Sequence, residues 1–180
     1  LLKDRLTKLL EQNGIASAGS LAAHDRKGLS ALIRMSYAKD TLVGWRAILA
    51  AGLAAKELVK SDPGFLRETC RKLLWSLTDE SGGIGWSAPE LLGEIIAADP
   101  KQFADLVPLV AEVYERDEDV FRPGVLYALG RIAEQAPEFV WGHRKAIISS
   151  LADKEPLVCI RGIMLVEKLL PAVKEGSLWN

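Results

Sequence analysis

DEDVFRPGVLYALGRIAEQAPE, residues 117–138, runs from an acidic turn through Phe121 and Arg122 to Pro123, which opens a helix. An apolar run then carries the chain through Gly130 to a stop at Pro137. Looser copies of this order lie on both sides. The prolines at 63, 100 and 137 are spaced by 37 and 37, Gly93 and Gly130 are again 37 apart, and Gly52 precedes Gly93 by 41. A fixed period of this size with two helices per period predicts a helical solenoid, because one amphipathic helix pair cannot cover its own apolar faces and must stack on the next.

The remaining segments follow the same order. Residues 1–12 carry leucines at 2, 6, 9 and 10, a helical stripe closed by Asn13-Gly14. The small, polar ASAGSLAA that follows is expected to be a linker or turn. RKGLSALIRMSYA and GWRAILAAGLAAKELV make one helix pair ending at Pro63. Residues 64–78 and WSAPELLGEIIAA make the next, joined by DESGGIG. FADLVPLVAEVYE leads into the reference stretch, and residues 138–152 lead into LVCIRGIMLVEKLL. The second helix of each pair is apolar almost all round, as expected of a helix held between neighbours. Glycines at 52, 93 and 130 cost helix propensity, roughly 1 kcal/mol each relative to alanine, which predicts close helix crossings there.

Composition bounds the function. The 180 residues are 49% hydrophobic and 26% charged, and 23 basic side chains nearly cancel 24 acidic ones, so no global field favours nucleic acid or an anionic membrane. No apolar run reaches the length of a membrane span, and LLKDRLTKLLEQNG has no signal-peptide core. Cys70 and Cys159 stand far apart, as do His24 and His143. This pattern fits reduced thiols in a cytoplasmic protein and offers no metal-ligand cluster and no cofactor motif.

VFRPGVLYALGRIAE resembles the second helix of HEAT-like repeats, in particular the short class named after phycobilisome lyases. Asp117, Val120, Arg122, Ala128, Leu129 and Gly130 carry the likeness, and Pro108 resembles the proline that bends the first helix of a HEAT repeat. The resemblance implies an all-α protein, a right-handed α-α superhelix of about four HEAT-like helix pairs behind an N-terminal helix. The single domain would span residues 1–180, with the helix at 1–12 and repeats at 24–62, 63–99, 100–136 and 137–172. It also implies that second helices line the concave face, and that arginines near helix starts pair with turn acids of neighbouring units; of Arg46, Arg122 and Arg161, only Arg122, five residues after Asp117, keeps that spacing.

Candidate sites follow from aligning the units on their glycines. Trp45 and Trp86 each lie seven residues before a glycine and would either make an aromatic wall on the concave side or pack between adjacent turns. Glu90, Glu94, Tyr127, Arg131, Glu134 and Lys168 fall on one face, and Arg131 is expected beside Glu94. If that face is a groove, these side chains are partly exposed, and Tyr127→Ala or Arg131→Glu spares stability. Against it stands a merely solvated stripe of intrahelical ion pairs. Ser87-Ala88-Pro89-Glu90 reads as a capping box, Ser87 covering the helix end and Glu90 reaching back. The loop DESGGIGW could cradle an anion, although it lacks the Gly-Lys-Ser ending of a P-loop. His143 is expected within a first-type helix, and Cys159 as a small apolar filler in a buried one.

The expected function is a non-enzymatic interaction module or scaffold. It would bind another protein or peptide through Trp45, Trp86, Glu90, Glu94, Tyr127 and Arg131, with no catalytic residue, metal, cofactor, nucleic acid or membrane. The alternatives are enzymes on the same scaffold. One is bilin-lyase-like and rests on repeat likeness. The other is alkylpurine DNA glycosylase-like and rests on Trp86 and Glu90 lying one turn apart, but it would need a basic groove for phosphates.

Overall fold

A computed structural model describes residues 1–78, 86–116, 119–176 and 178, and all regular structure among them is helical. The helices are α1 (Leu2–Glu11), α2 (Ile15–Ala22), α3 (Arg26–Met35), α4 (Leu42–Ser61), α5 (Pro63–Ser76) and α6 (Ala88–Ile96). They continue with α7 (Val107–Glu112), α8 (Arg122–Ala133), α9 (Pro137–Trp141), α10 (Arg144–Ser150) and α11 (Pro156–Lys174). Short 3-10 turns flank α7 at Ala104–Leu106 and Val113–Glu115, and another, Asp119–Phe121, leads into α8.

Punctuation in the chain sets these boundaries. Prolines sit in the first turn of α5, α6, α7, α8, α9 and α11, where a missing N–H costs no intrahelical bond. Pro63 and Pro137 thus open the next helix as much as they close the last. Asp25, Thr41 and Asp62 cap α3, α4 and α5 by accepting from Gly28, Gly44 and Phe65 at 2.8, 3.0 and 3.2 Å. Asn13 ends α1 in the left-handed region at φ 61°, which its short polar side chain tolerates.

Helices α2, α4, α6, α8 and α11 pack one on the next, while α3, α5, α7 and α10 lie against α4, α6, α8 and α11. The core runs continuously along this row. At its middle, every residue of α6 is buried, including Glu90 and Glu94. Charged clamps stitch the flanking helices. Arg26 pairs with Asp62 at 2.7 Å and lies over the Phe65 ring, and Arg67 repeats the arrangement with Asp105 at 2.8 Å and Phe103.

Several expectations need correction. The segment expected as a linker is helix α2, and its small residues let it press on α4: a Cβ at Gly19 would come within 2.7 Å of Leu53 Cβ. The helix expected across 101–115 is broken into 3-10 and α pieces around Pro108, which cannot donate to the preceding turn. The helix expected over 138–152 is divided at Gly142-His143, so His143 precedes α10 as its N-cap rather than lying inside a helix. Close crossing holds at Gly93, where a Cβ would lie 2.4 Å from Ala128 Cα, and at Gly52, where it would meet the Glu94 side chain. It does not hold at Gly130, whose nearest would-be neighbour is Lys168 Nζ at 3.6 Å. Helix α11 is not enclosed either. Leu157, Ile160, Ile163 and Met164 stand exposed along its outer side, and Cys159 is half-buried.

Candidate functional site

The side chains that converge come from α4, α6, α8 and α11. Glu94 lies beneath them, 4% exposed. Its Oε1 accepts from the Tyr127 hydroxyl at 2.5 Å and from Arg131 Nε at 2.7 Å, and its Oε2 from Arg131 Nη2 at 3.4 Å. Close packing of α6 on α8 at Gly93 makes this reach possible. On the α4 side, the missing side chain of Gly52 leaves the space that the Glu94 carboxylate fills. Burial, and then the neighbouring Glu94 charge, push the Tyr127 phenol well above its ordinary value, so it remains a donor.

The network continues outward. Arg131 also pairs with Glu134, and Glu134 pairs in turn with Lys168 of α11. Beside this chain of charges the Tyr127 ring lies 5.3 Å from the ring of Trp45, tilted by 39°. Arg161 of α11 closes a triangle with them, its guanidinium carbon 5.0 Å from the Tyr127 centroid and 5.5 Å from that of Trp45. Tyr127, Arg131, Arg161, Lys168 and Trp45 are all partly exposed.

A second polar cluster lies at the other end of α6. Ser87 makes no side-chain cap, and Glu90 does not reach back to form the expected capping box. Ser87 Oγ instead lies 2.8 Å from Ser36 Oγ, both side chains being wholly buried. Ser36 spends its one proton on the Ile33 carbonyl at 2.7 Å, so Ser87 is the donor between them. Glu90 turns inward. Its Oε1 accepts from Lys39 Nζ at 3.0 Å, Oε2 has no hydrogen-bond partner among the described residues, and the carboxylate occupies the room left by the absent side chain of Gly124. Lys39 bonds the Trp86 carbonyl as well.

Of the residues expected to line one exposed groove, the structure therefore joins Trp45, Tyr127 and Arg131 and places Glu94 under them. Glu90 and Glu94 are buried rather than partly exposed, because each fills a glycine-sized gap in a neighbouring helix. Trp86 is 46% exposed in the turn before α6, while the ring that meets Trp45 is that of Tyr127. Arg161 and Lys39 were not among the expected site residues. Arg46 donates to the carbonyls of Leu10 and Glu11 at the end of α1 rather than to a turn acid. Arg122 does meet one, Asp153, at 3.6 Å. The loop 79–85 and Asp117 lie outside the described residues.

Among the described residues no group of three His, Cys, Asp or Glu side chains could hold a metal ion, and no helix is long and apolar enough to cross a membrane. Comparison with protein-family models, with curated proteins and with solved structures gave no match.

Proposed function

We propose that the protein is a non-enzymatic interaction module, a short right-handed superhelix of HEAT-like pairs that binds a protein or peptide on the face shared by α4, α8 and α11. The row of α2, α4, α6, α8 and α11, with α3, α5, α7 and α10 lying against its last four members, supports the repeat reading. One observation carries the binding reading. Trp45, Tyr127, Arg131, Arg161 and Lys168, drawn from three separate helices, meet as partly exposed aromatic and charged groups on one surface. Aromatic and arginine side chains held on rigid helices supply contact area at low entropic cost, the composition of interface anchors. Buried Glu94 fixes the geometry of Arg131 and Tyr127 from below, a pre-organisation that lowers the cost of binding.

The test is retention of proteins from a native lysate by the immobilised wild type and by Lys168→Glu, followed by mass spectrometry. Lys168 is a rim residue whose reversal changes the charge of the face without touching the core. A set of proteins held by the wild type and released by the variant is the expected result. Identical sets on both would remove this face from consideration.

A further inference from the structure

Every other cation of this face has an acid. Arg131 holds Glu94 and Glu134, and Lys168 holds Glu134. The Arg161 guanidinium makes no hydrogen bond and no ion pair among the described residues, and lies over the two rings of Trp45 and Tyr127. The cluster accordingly sets three cations against two carboxylates, and the surplus charge resides on the one guanidinium whose donors are unspent.

We propose that Arg161 is a receptor for a carboxylate of an acidic peptide segment, a reading that rests on this face being the binding face. A guanidinium held over aromatic rings spends no N–H donor on an acceptor, so its fork is available to a ligand. Two rings from different helices hold it in one place, so little freedom is lost when a carboxylate docks. The fork matches a carboxylate bidentately, with two parallel charge-assisted hydrogen bonds. The flanking Trp45 and Tyr127 rings supply apolar contact for the residue next to the acid.

The neighbourhood selects a peptide over a nucleic acid. A phosphate backbone carries closely spaced negative charges and is held by several cations, whereas on this face Arg131 and Lys168 are already paired with Glu94 and Glu134. A single carboxylate followed by an apolar residue needs only Arg161 and the two rings. The chain as a whole, at a net charge of −1, provides no compensating field.

A displayed random-peptide library panned on the wild type is the experiment. Selected peptides are then titrated by fluorescence anisotropy against wild type, Arg161→Lys, Arg161→Gln and Lys168→Glu, with thermal melts as folding controls. Selected peptides should be enriched in Asp or Glu next to an apolar residue. Arg161→Gln should weaken them by roughly 10- to 100-fold, the worth of a charge-assisted fork, and Arg161→Lys, keeping charge without the fork, by less. Amidation of the peptide acid should weaken wild-type binding to match and leave Arg161→Gln unaffected. Peptides without acidic enrichment, or bound equally by Arg161→Gln, overturn the carboxylate receptor while leaving the face intact as a binding surface. Failure of the wild type to select any peptide, or selected peptides indifferent to both Arg161→Gln and Lys168→Glu, overturns the face itself. Displacement of a bound peptide by single-stranded DNA at equal potency reassigns Arg161 to phosphate and overturns the peptide reading.

Discussion

The hydroxyl of Tyr127 donates to Oε1 of Glu94 at 2.5 Å, while the ring that carries it leans on Trp45. A residue expected on a solvated groove thus also satisfies a buried carboxylate. Tyr127→Phe keeps the ring contact and removes only the donor, so it isolates that bond. Thermal melts should show a loss of about 1–3 kcal/mol, the cost of withdrawing a donor from a buried charged acceptor. An unchanged midpoint would mean that Arg131 alone satisfies Glu94.

Gly93 and Gly130, 37 residues apart, should respond in opposite directions. A Cβ at Gly93 would lie 2.4 Å from the backbone of Ala128, so Gly93→Ala must push α6 and α8 apart, at a cost of about 1–3 kcal/mol or more. At Gly130 the nearest group is the flexible end of Lys168, and alanine there should gain up to about 1 kcal/mol in helix propensity. Denaturant titrations of both variants decide this. Equal destabilisation would restore the close crossing at Gly130.

Lys39 is the one donor found for the Glu90 carboxylate among the described residues. Lys39→Met should destabilise by roughly 2–4 kcal/mol, because it leaves a buried charge without a partner. Adding Glu90→Gln to that variant removes the charge and should restore part of the loss. A double variant no more stable than Lys39→Met would show that the loss does not come from an unpaired Glu90 charge.

The two thiols should differ in reactivity. Cys70 is wholly buried, and burial pushes its thiol up from the ordinary 9.0 to about 12, whereas Cys159 is half-exposed. Ellman's reagent at about pH 8 should modify Cys159 in the native protein and Cys70 only after unfolding, since the thiolate is the nucleophile. The same shift makes stability pH-dependent. Above about pH 9 the unfolded Cys70 thiol loses its proton while the folded one keeps it, so the native state binds more protons and stability falls as pH rises toward 12. Cys70→Ala should flatten that alkaline limb. Equal modification of both thiols in the native state would contradict the burial.

Much of the helix pairing was legible because Pro, Gly, Asp and Asn punctuate it. The contact between Glu94 and Arg131 follows from the period itself, since the two are 37 residues apart. What was illegible is what sits above or below a residue. Ser87 and Glu90 have capping-box spacing, but their partners, Ser36 and Lys39, lie 51 residues earlier, beyond any local pattern. Residues 16–23 lack an apolar stripe, so α2 gave no helical period. Their small size, which hid the helix, is what lets it approach α4. Arg161 stood out only as one of several arginines near helix starts, and nothing local distinguished a guanidinium resting on two rings from one paired with an acid.

The meeting of Trp45 with Tyr127 and Arg161 has a bearing on cooperativity. In an array whose units touch only their immediate neighbours, the ends can fray while the middle persists, and unfolding spreads over several steps. Here α4 is joined directly to α8 and α11 across the top of α6. Unravelling the C-terminal helix strips a cation from a tryptophan near the other end of the row. Detaching α4 removes the ring support of Tyr127, and with it the setting of the Glu94 bond. Loss at either end is therefore felt at the centre, and the row should melt as one unit.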